Sequence, residues 1–457
     1  MKDFQILEKY NKPGPRYTSY PPANFFHAEY NNDNYIQNLK SSNSQKPENI
    51  SLYIHIPFCP RLCHFCGCNT TIMQKQDAVS RYINAVIKEI ETVAQYLDKD
   101  RIVTQIHWGG GTPNSISLDY IGKIMQLISN TFIVDKKAEI AMECSPAYLE
   151  FEDVEKLKAL GFNRLSLGVQ DFNDDVLKIV NRQASKHPIE DLVSTMKDLG
   201  FEGVNVDLIY GLPGQTPESF KKSIERAIKI SPDRIVTFSY AHVPWVKSAQ
   251  RKLEEVGLPS PEEKLEMFGI AYNLLTQSGY ISIGMDHYAK PNDELSLALK
   301  NKKLHRNFQG YCTKETTGQI YGFGSSSISQ MNGAYTQNQK DTNKYMNAIE
   351  EDGLAIERGY ELNNNDLICR RVINEIMCNG FLDFDTIASE FSVSAEEIIK
   401  IVDYKPSKLD QFTEDNLLSI DKGKIKLNPE GFFVVRNIAM EFDPLLNIGE
   451  NKYSKTV

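Results

Sequence analysis

SLYIHIPFCPRLCHFCGC, residues 51–68, joins an apolar run to four cysteines packed into ten residues: Cys59, Cys63, Cys66 and Cys68. They are half of the eight thiols in the chain, so the loop needs a chemical explanation. Thiolates gathered around one small loop bind a soft metal or an iron–sulfur cluster. A structural zinc site usually pairs two Cys/His knuckles across an intervening stretch, and this sequence holds no second knuckle of that kind. The C-x3-C-x2-C spacing supplies three thiolates, enough for three irons of a four-iron cluster. The fourth iron is then open to a ligand that is not protein. The alternative is a zinc-bound or buried cysteine cluster in an interaction protein.

Working outward, SLYIHIP (51–57) is the first of seven β-rich runs. The others are VTQIHWG (103–109), AEIAMEC (138–144), RLSLGVQ (164–170), GVNVDLIYG (203–211), RIVTFSY (234–240) and ISIGMDH (281–287). Between the first two, Val79, Ile83, Val86, Ile90, Val93 and Leu97 recur at helical spacing, with Asp77 as the expected cap. Strand, helix and strand in alternation predict a parallel sheet of the α/β class and a partial or complete β/α barrel. Chemistry in that architecture gathers in the loops after the strands. The conspicuous polar groups fall there: the cysteine loop, GGGTP (109–113), Glu143, Gln170, Asp171, Asp207, His242, Asp286 and His287.

Residues 1–47 lack periodicity and carry NKPGPRYTSYPP, which predicts an N-terminal arm or lid outside a barrel spanning 48–345. The remainder, 346–457, reads as a mainly helical, winged-helix-like domain: FDTIASEFSVSAEEIIKIV followed by the hairpin-like SIDKGKIKLNPEGF. From Glu351 onward there are 20 acidic and 12 basic residues, a net −8, which favours a scaffold over a DNA-binding module. The whole chain, at −9, likewise argues against nucleic acid as its partner. No stretch approaches the length of a membrane span, and the N-terminus has no apolar core of signal-peptide length. A cytoplasmic protein with reduced thiols is expected.

Gly109, Gly110 and Gly111 allow close backbone approach, either to a ligand or simply in a tight turn. Glu143 ends an apolar run, where an unpartnered carboxylate is costly; a salt bridge and a ligand both answer that. Cys144, Cys312, Cys369 and Cys378 are isolated and read as small buried hydrophobes. His55 and His64 flank the cysteine loop, as hydrogen-bonding or as structural residues.

The C-x3-C-x2-C spacing resembles the signature of radical S-adenosylmethionine (SAM) enzymes. The longer C-x3-C-x-F-C-x-C after SLYIHIPFC is similar to the oxygen-independent coproporphyrinogen III oxidase branch of that superfamily. PGPRYTSYP (13–21), YGLPGQTPESF (210–220), SYAHVP (239–244), GMDHYA (284–289) and HRNFQGYCT (305–313) share that resemblance, which runs from about Tyr10 to about Phe442. It implies a [4Fe-4S] cluster on Cys59, Cys63 and Cys66, with SAM on the open iron and Cys68 lining the site. It also implies Tyr53, Gly110, Glu143 and Ile328 around that SAM. Phe65, Gly111, Thr112, Gln170, Arg182, Asp207 and Ala241 match positions that hold a second SAM.

One departure is clear: the resemblance leads one to expect Glu-x-Asp-Pro-Arg where this chain reads Glu143-Cys144-Ser145-Pro146-Ala147. The implied reaction is oxidative decarboxylation of two propionates of coproporphyrinogen III to vinyl groups, giving protoporphyrinogen IX, with electrons from a reduced flavodoxin- or ferredoxin-type donor. Cys68, Glu143 and Arg16 are the implied catalytic residues in a monomer. Arg16, Arg306, Tyr17, Tyr20 and Tyr311 are candidate partners for the propionates, with the arm closing over the substrate. Two rivals lie in the same superfamily. A haem chaperone typically lacks the arm and the fourth cysteine, and a porphyrin or haem methyltransferase gives a product of different mass.

Overall fold

The structure is a computed structural model and describes residues 2–314, 317–446 and 453. The chain divides into two compact units: a sheet unit of His27–Ser278 and Glu315–Tyr360, and a second unit of Met1–Phe26, Gly279–Lys314 and Glu361–Val457.

Six parallel strands form the heart of the sheet unit: β1 (Ile50–Ile56), β2 (Ile102–Gly110), β3 (Ile133–Cys144), β4 (Arg164–Gln170), β5 (Gly203–Tyr210) and β6 (Arg234–Ser239). Each pairs with the next in sequence order. On its other side β1 pairs in parallel with Gln319–Phe323, which antiparallel strands Ile328–Gln330 and Ala334–Asn338 extend. No pairing closes this sheet among the described residues.

The period-two alternation of the strands separates core from site. In β4, Leu165, Leu167 and Val169 are buried, and in β5 so are Val204, Val206 and Leu208. Each such side chain contributes about 1.5–3 kcal/mol when fully buried. Their alternates, Arg164, Ser166 and Gln170 with Asn205 and Asp207, form the other face and build two polar layers. In the lower layer Gln105 donates to Glu139 at 2.9 Å, and Arg164 bridges Glu139 at 2.9 Å and Asn205 at 3.3 Å. The upper layer is the candidate site.

Helix Gln76–Ala94 makes the first crossover and buries Val79, Ile83, Val86, Ile90 and Val93, the stripe read from the sequence. Leu97 is buried beyond the helix end. Asp77 is not the cap: Lys75 occupies that position, and Asp77 sits in the first turn, where its charge favours the helix dipole. Glu89 lies on the buried face, an exception to the apolar pattern. It accepts from Gly324 N–H (2.8 Å), the Tyr345 hydroxyl (2.6 Å) and Asn338 Nδ2 (2.6 Å), while burial raises its pKa to about 7. Helix Asn32–Ser42, in the stretch without apolar periodicity, starts at a capping box formed by Asn31 and Asn34.

The seventh β-rich run is broken into two short strands. Ile281–Gly284 and His287–Ala289 pair antiparallel as a hairpin in the second unit, because Met285 takes a positive φ of 52° and turns the chain back. The arm is built into this same unit. Tyr17 donates its hydroxyl to Asp443 at 2.8 Å, Arg436 holds the carbonyls of Gly14 (2.6 Å) and Pro15 (3.2 Å), and Tyr20 is 2% exposed. Tyr17 and Tyr20 therefore anchor the arm.

Helices Phe384–Phe391 and Ala395–Ile401 are followed by the hairpin Leu418–Asp421 and Lys424–Leu427, whose second strand also pairs with Phe381–Asp383. This is the expected helix-turn-helix with a wing. Among the described residues no helix is long and apolar enough to cross a membrane.

Candidate active site

Where β1 ends, the chain forms a short strand, Phe58–Cys59, paired in parallel with Thr71–Ile72. The two strands pinch the cysteine loop at its base. Its backbone carbonyls are then held by side chains from later in the chain: Leu62 by Asn181 (2.9 Å), Phe65 by Gln250 (3.0 Å) and Cys68 by Lys247 (2.7 Å). Phe65 also packs on the apolar cluster of Val176, Val180, Ile209, Leu212, Tyr240 and Leu253. The segments after β4, β5 and β6 thus fasten the loop in place.

Cys59, Cys63, Cys66 and Cys68 border one cavity, together with Phe65, Gly110, Gly111, Thr112, Glu143, Gln170, Arg182 and Asp207. Among the described residues no three His, Cys, Asp or Glu side chains converge as a single-ion site. A cluster whose irons each take one thiolate asks instead for thiols spread around a shared space. Burial pushes the Cys59 thiol up to about 11, against a hydrogen bond from Thr112 Oγ1 at 3.4 Å. Burial also raises Cys63, opposed by Arg182, which lies 3.6 Å from its sulfur. Cys68 donates a hydrogen bond to Cys66, raising its own pKa and lowering that of Cys66. Donor groups that favour thiolates thus already face the loop.

The glycine triplet closes the opposite wall. Gly111 N–H donates to Ile56 O at 2.7 Å and Thr112 N–H to Phe58 O at 2.9 Å, binding GGGTP to the base of the cysteine loop. The space left by the missing side chains is filled by protein. A Cβ on Gly109 would meet Glu143 Oε1 at 2.7 Å, and one on Gly110, whose φ is +113°, would meet the His55 ring at 2.6 Å.

Glu143 is 48% exposed and lines the cavity. Desolvation alone raises its pKa, but the His107 hydrogen bond (3.2 Å), the His107 charge and Gly110 N–H together hold it below the usual value. His107 stacks on Tyr53, its register partner, at 6.0 Å. Tyr53 in turn shares its hydroxyl with His55 Nδ1 at 3.1 Å, and His55 Nε2 meets Asn69 O at 3.0 Å. Burial lowers the His55 pKa, so the ring is a neutral support.

On the far side, Arg182 reaches the Gly168 carbonyl and, at 3.4 Å, Ser145 Oγ. Ser145 belongs to the departing ECSPA segment, whose backbone Asn114 fixes by donating to the carbonyls of Ser145 and Tyr148, both at 3.0 Å. Burial raises Asp207 to about 7 even though Ser166 Oγ donates to it at 2.8 Å. Gln170, at a positive φ of 71°, has a buried Oε1 with no hydrogen-bond partner. Carboxylates and an orphaned amide oxygen on one wall suit a ligand that brings donors and positive charge, as the ammonium and sulfonium of SAM do.

Other residues picked from the sequence lie outside the cavity lining. Ala241 O accepts from Gln250 Nε2 at 3.3 Å. The Ile328 carbonyl occupies the space a Cβ on Gly322 would take, and Gly322 is the register partner of Tyr53. Asp171 is structural: it is 2% exposed and accepts from Gln215 (2.7 Å), Ser223 (2.6 Å) and Asn173 N–H (3.0 Å). His242 bridges Tyr240 (2.9 Å) and Glu254 (2.8 Å). Arg16, Asp286 and His287 belong to the second unit. His107 and Ser166 were missed, because only the sheet register reveals that they face Glu143 and Asp207.

Comparison with known proteins identifies the family. The Radical SAM superfamily model matches residues 53–227 and the HemN C-terminal domain model matches 362–434. The oxygen-independent coproporphyrinogen III oxidase of Escherichia coli is 41% identical over 448 residues, covering 97% of this chain and 95% of that protein. Those of Synechocystis sp. and Helicobacter pylori (strain J99) are each 40% identical, over 97% and 100% of this chain and 95% and 99% of theirs. The solved structure of coproporphyrinogen III oxidase (HemN) from Escherichia coli superposes with a TM-score of 0.90 at 40% identity, covering 97% of this chain and 99% of that one. With a cysteine loop at the end of β1, a SAM-compatible cavity beside it and this likeness over nearly its whole length, the chain belongs to the oxygen-independent coproporphyrinogen III oxidase family of radical SAM enzymes.

Proposed function

We propose that this enzyme converts two propionate side chains of coproporphyrinogen III to vinyl groups, releasing carbon dioxide and forming protoporphyrinogen IX. The observation that carries the assignment is full-length similarity to oxidases of that name, from the arm through the C-terminal domain. A [4Fe-4S] cluster and SAM, held at this site, would supply the radical chemistry that takes a hydrogen from the propionate β-carbon, the remaining electron of each decarboxylation passing to a one-electron acceptor as carbon dioxide leaves.

The protein's part is to hold and orient. Cys59, Cys63 and Cys66 would hold the cluster, and Thr112 and Arg182 direct hydrogen bonds at the first two sulfurs. Glu143, kept ionised by His107 and Gly110, takes the SAM ammonium, with Tyr53 and Ile328 around the same molecule. Phe65, Gly111, Thr112, Gln170, Arg182, Asp207 and Ala241 form the place for a second SAM. Cys68, exposed beside Cys66, meets the substrate. Arg16 engages a propionate. A flavodoxin- or ferredoxin-type protein reduces the cluster, and the enzyme works as a cytoplasmic monomer.

The test is anaerobic reconstitution with iron and sulfide, followed by incubation with SAM, a reductant and coproporphyrinogen III. Vinyl product with 5′-deoxyadenosine is the expected result. Methylated product, or zinc in place of iron, would reject the assignment.

A further inference from the structure

Three guanidinium groups of the second unit, Arg16, Arg306 and Arg436, lie within electrostatic reach of one another and of Asp286. Arg306, on the strand Leu304–Asn307, is 7% exposed, and its Nε and Nη1 are buried without a hydrogen-bond partner. Arginine is almost never this buried unless paired, and orphaned donors are rare in native proteins. Arg436 is 5% exposed and spends bonds on the Gly14 and Pro15 carbonyls. That fixes the stretch of arm leading into Arg16, which is itself exposed. The three charges act on one another: burial, then Arg16 and Arg306, lower the pKa of Arg436 to about 10. Asp286 feels Arg306 and Arg16 as well, but its carboxylate is engaged by His287 at 2.7 Å.

The setting holds Arg306 rigidly. Its guanidinium lies 4.8 Å from the centre of the Tyr311 ring, its register partner, and the His287 ring meets the same tyrosine edge-on at 5.2 Å. Tyr311 fits because position 284 is glycine: a Cβ there would stand 2.4 Å from its hydroxyl. A planar fork fixed on an aromatic face, with open donors and neighbouring positive charge, is pre-organised for a carboxylate.

We propose that Arg306, supported by Arg436 and Arg16, is the residue that recognises a propionate carboxylate of the tetrapyrrole and makes the enzyme selective for the free acid. This rests on the function proposed above and names the residue that reads the substrate's charge.

The full-length, cluster-loaded enzyme tests it. Coproporphyrin III and its neutral amide are titrated anaerobically into wild type, Arg306→Gln and Arg306→Lys, alongside KM for coproporphyrinogen III. Losing a charge-assisted bidentate contact should weaken free-acid binding about tenfold or more in Arg306→Gln, with a smaller loss in Arg306→Lys. Amide binding, iron content and uncoupled SAM cleavage should not change. Thermal stability should hold or rise, since a buried charge kept for a ligand destabilises the empty protein. Equal loss for acid and amide, no loss for either, or a fall in stability that accounts for the loss would overturn the proposal. If wild type forms no vinyl product yet Arg306 still governs free-acid binding, the carboxylate site stands and the proposed function fails. If wild type forms vinyl product and Arg306→Gln binds normally, the reverse holds.

Discussion

At the residue scale, Glu143 shows how a neighbour decides what a side chain does. His107 and the Gly110 N–H hold its carboxylate ionised where burial alone would push it toward the neutral acid. His107→Phe keeps an aromatic ring beside Tyr53 and deletes the hydrogen bond together with the electrostatic support of Glu143. SAM affinity should then fall about tenfold, the worth of a hydrogen bond to a charged group, with iron content unchanged. Equilibrium binding of SAM to the reconstituted protein measures this. The cysteines divide in the same way: alanine at Cys59, Cys63 or Cys66 should each abolish the brown iron–sulfur absorbance, whereas Cys68→Ser should retain it and lose vinyl formation. Bleached Cys68→Ser would make that residue an iron ligand.

At the scale of elements, strand alternation commits polar groups to a shared interior layer, and their stability depends on partners from other strands. Glu139 of β3 and Arg164 of β4 are 14% and 10% exposed and paired at 2.9 Å. Glu139→Ala removes the carboxylate paired with the Arg164 guanidinium and should cost about 3–5 kcal/mol in chemical denaturation. Helix Gln76–Ala94 carries the second buried carboxylate. Glu89 has a folded pKa of about 7, above its unfolded value near 4.3, so the folded state holds the proton more tightly. Its contribution to stability is therefore greatest below about pH 4, declines as pH rises to about 7, and is level beyond. Wild type should lose thermal stability relative to Glu89→Gln between pH 5 and 7, and a parallel pair of melting curves across that range would count against it.

At the scale of the whole molecule, the arm belongs to the core of the second unit. Tyr10 stacks on Phe412 at 4.8 Å and donates to Asp415 at 2.6 Å, and Tyr17 is bonded to Asp443. Deleting residues 1–22 should therefore make the second unit sensitive to protease while the cysteine loop of the sheet unit still takes up iron. Proteolytic fragments and iron per chain read the two effects separately. Arg16→Gln is the cleaner probe of substrate contact, since Arg16 is exposed and its removal opens no core.

The sequence by itself determined the parallel α/β order, the cysteine loop after the first strand and the wing near the C-terminus, because each rests on local spacing: apolar period, turn residues and thiols within ten positions. Spacing also carried Glu143 and Gln170 to strand ends and Asp207 into the fifth strand. Only tertiary structure decided which of those polar groups serve the cavity and which, like Asp171, hold a loop. It alone set His107 against Glu143 and left Arg306 with unsatisfied donors, while Met285 broke an apparent seventh strand into a hairpin. These outcomes depend on register between distant strands and on which donors find acceptors after packing, and neither is written in the order of residues along one segment.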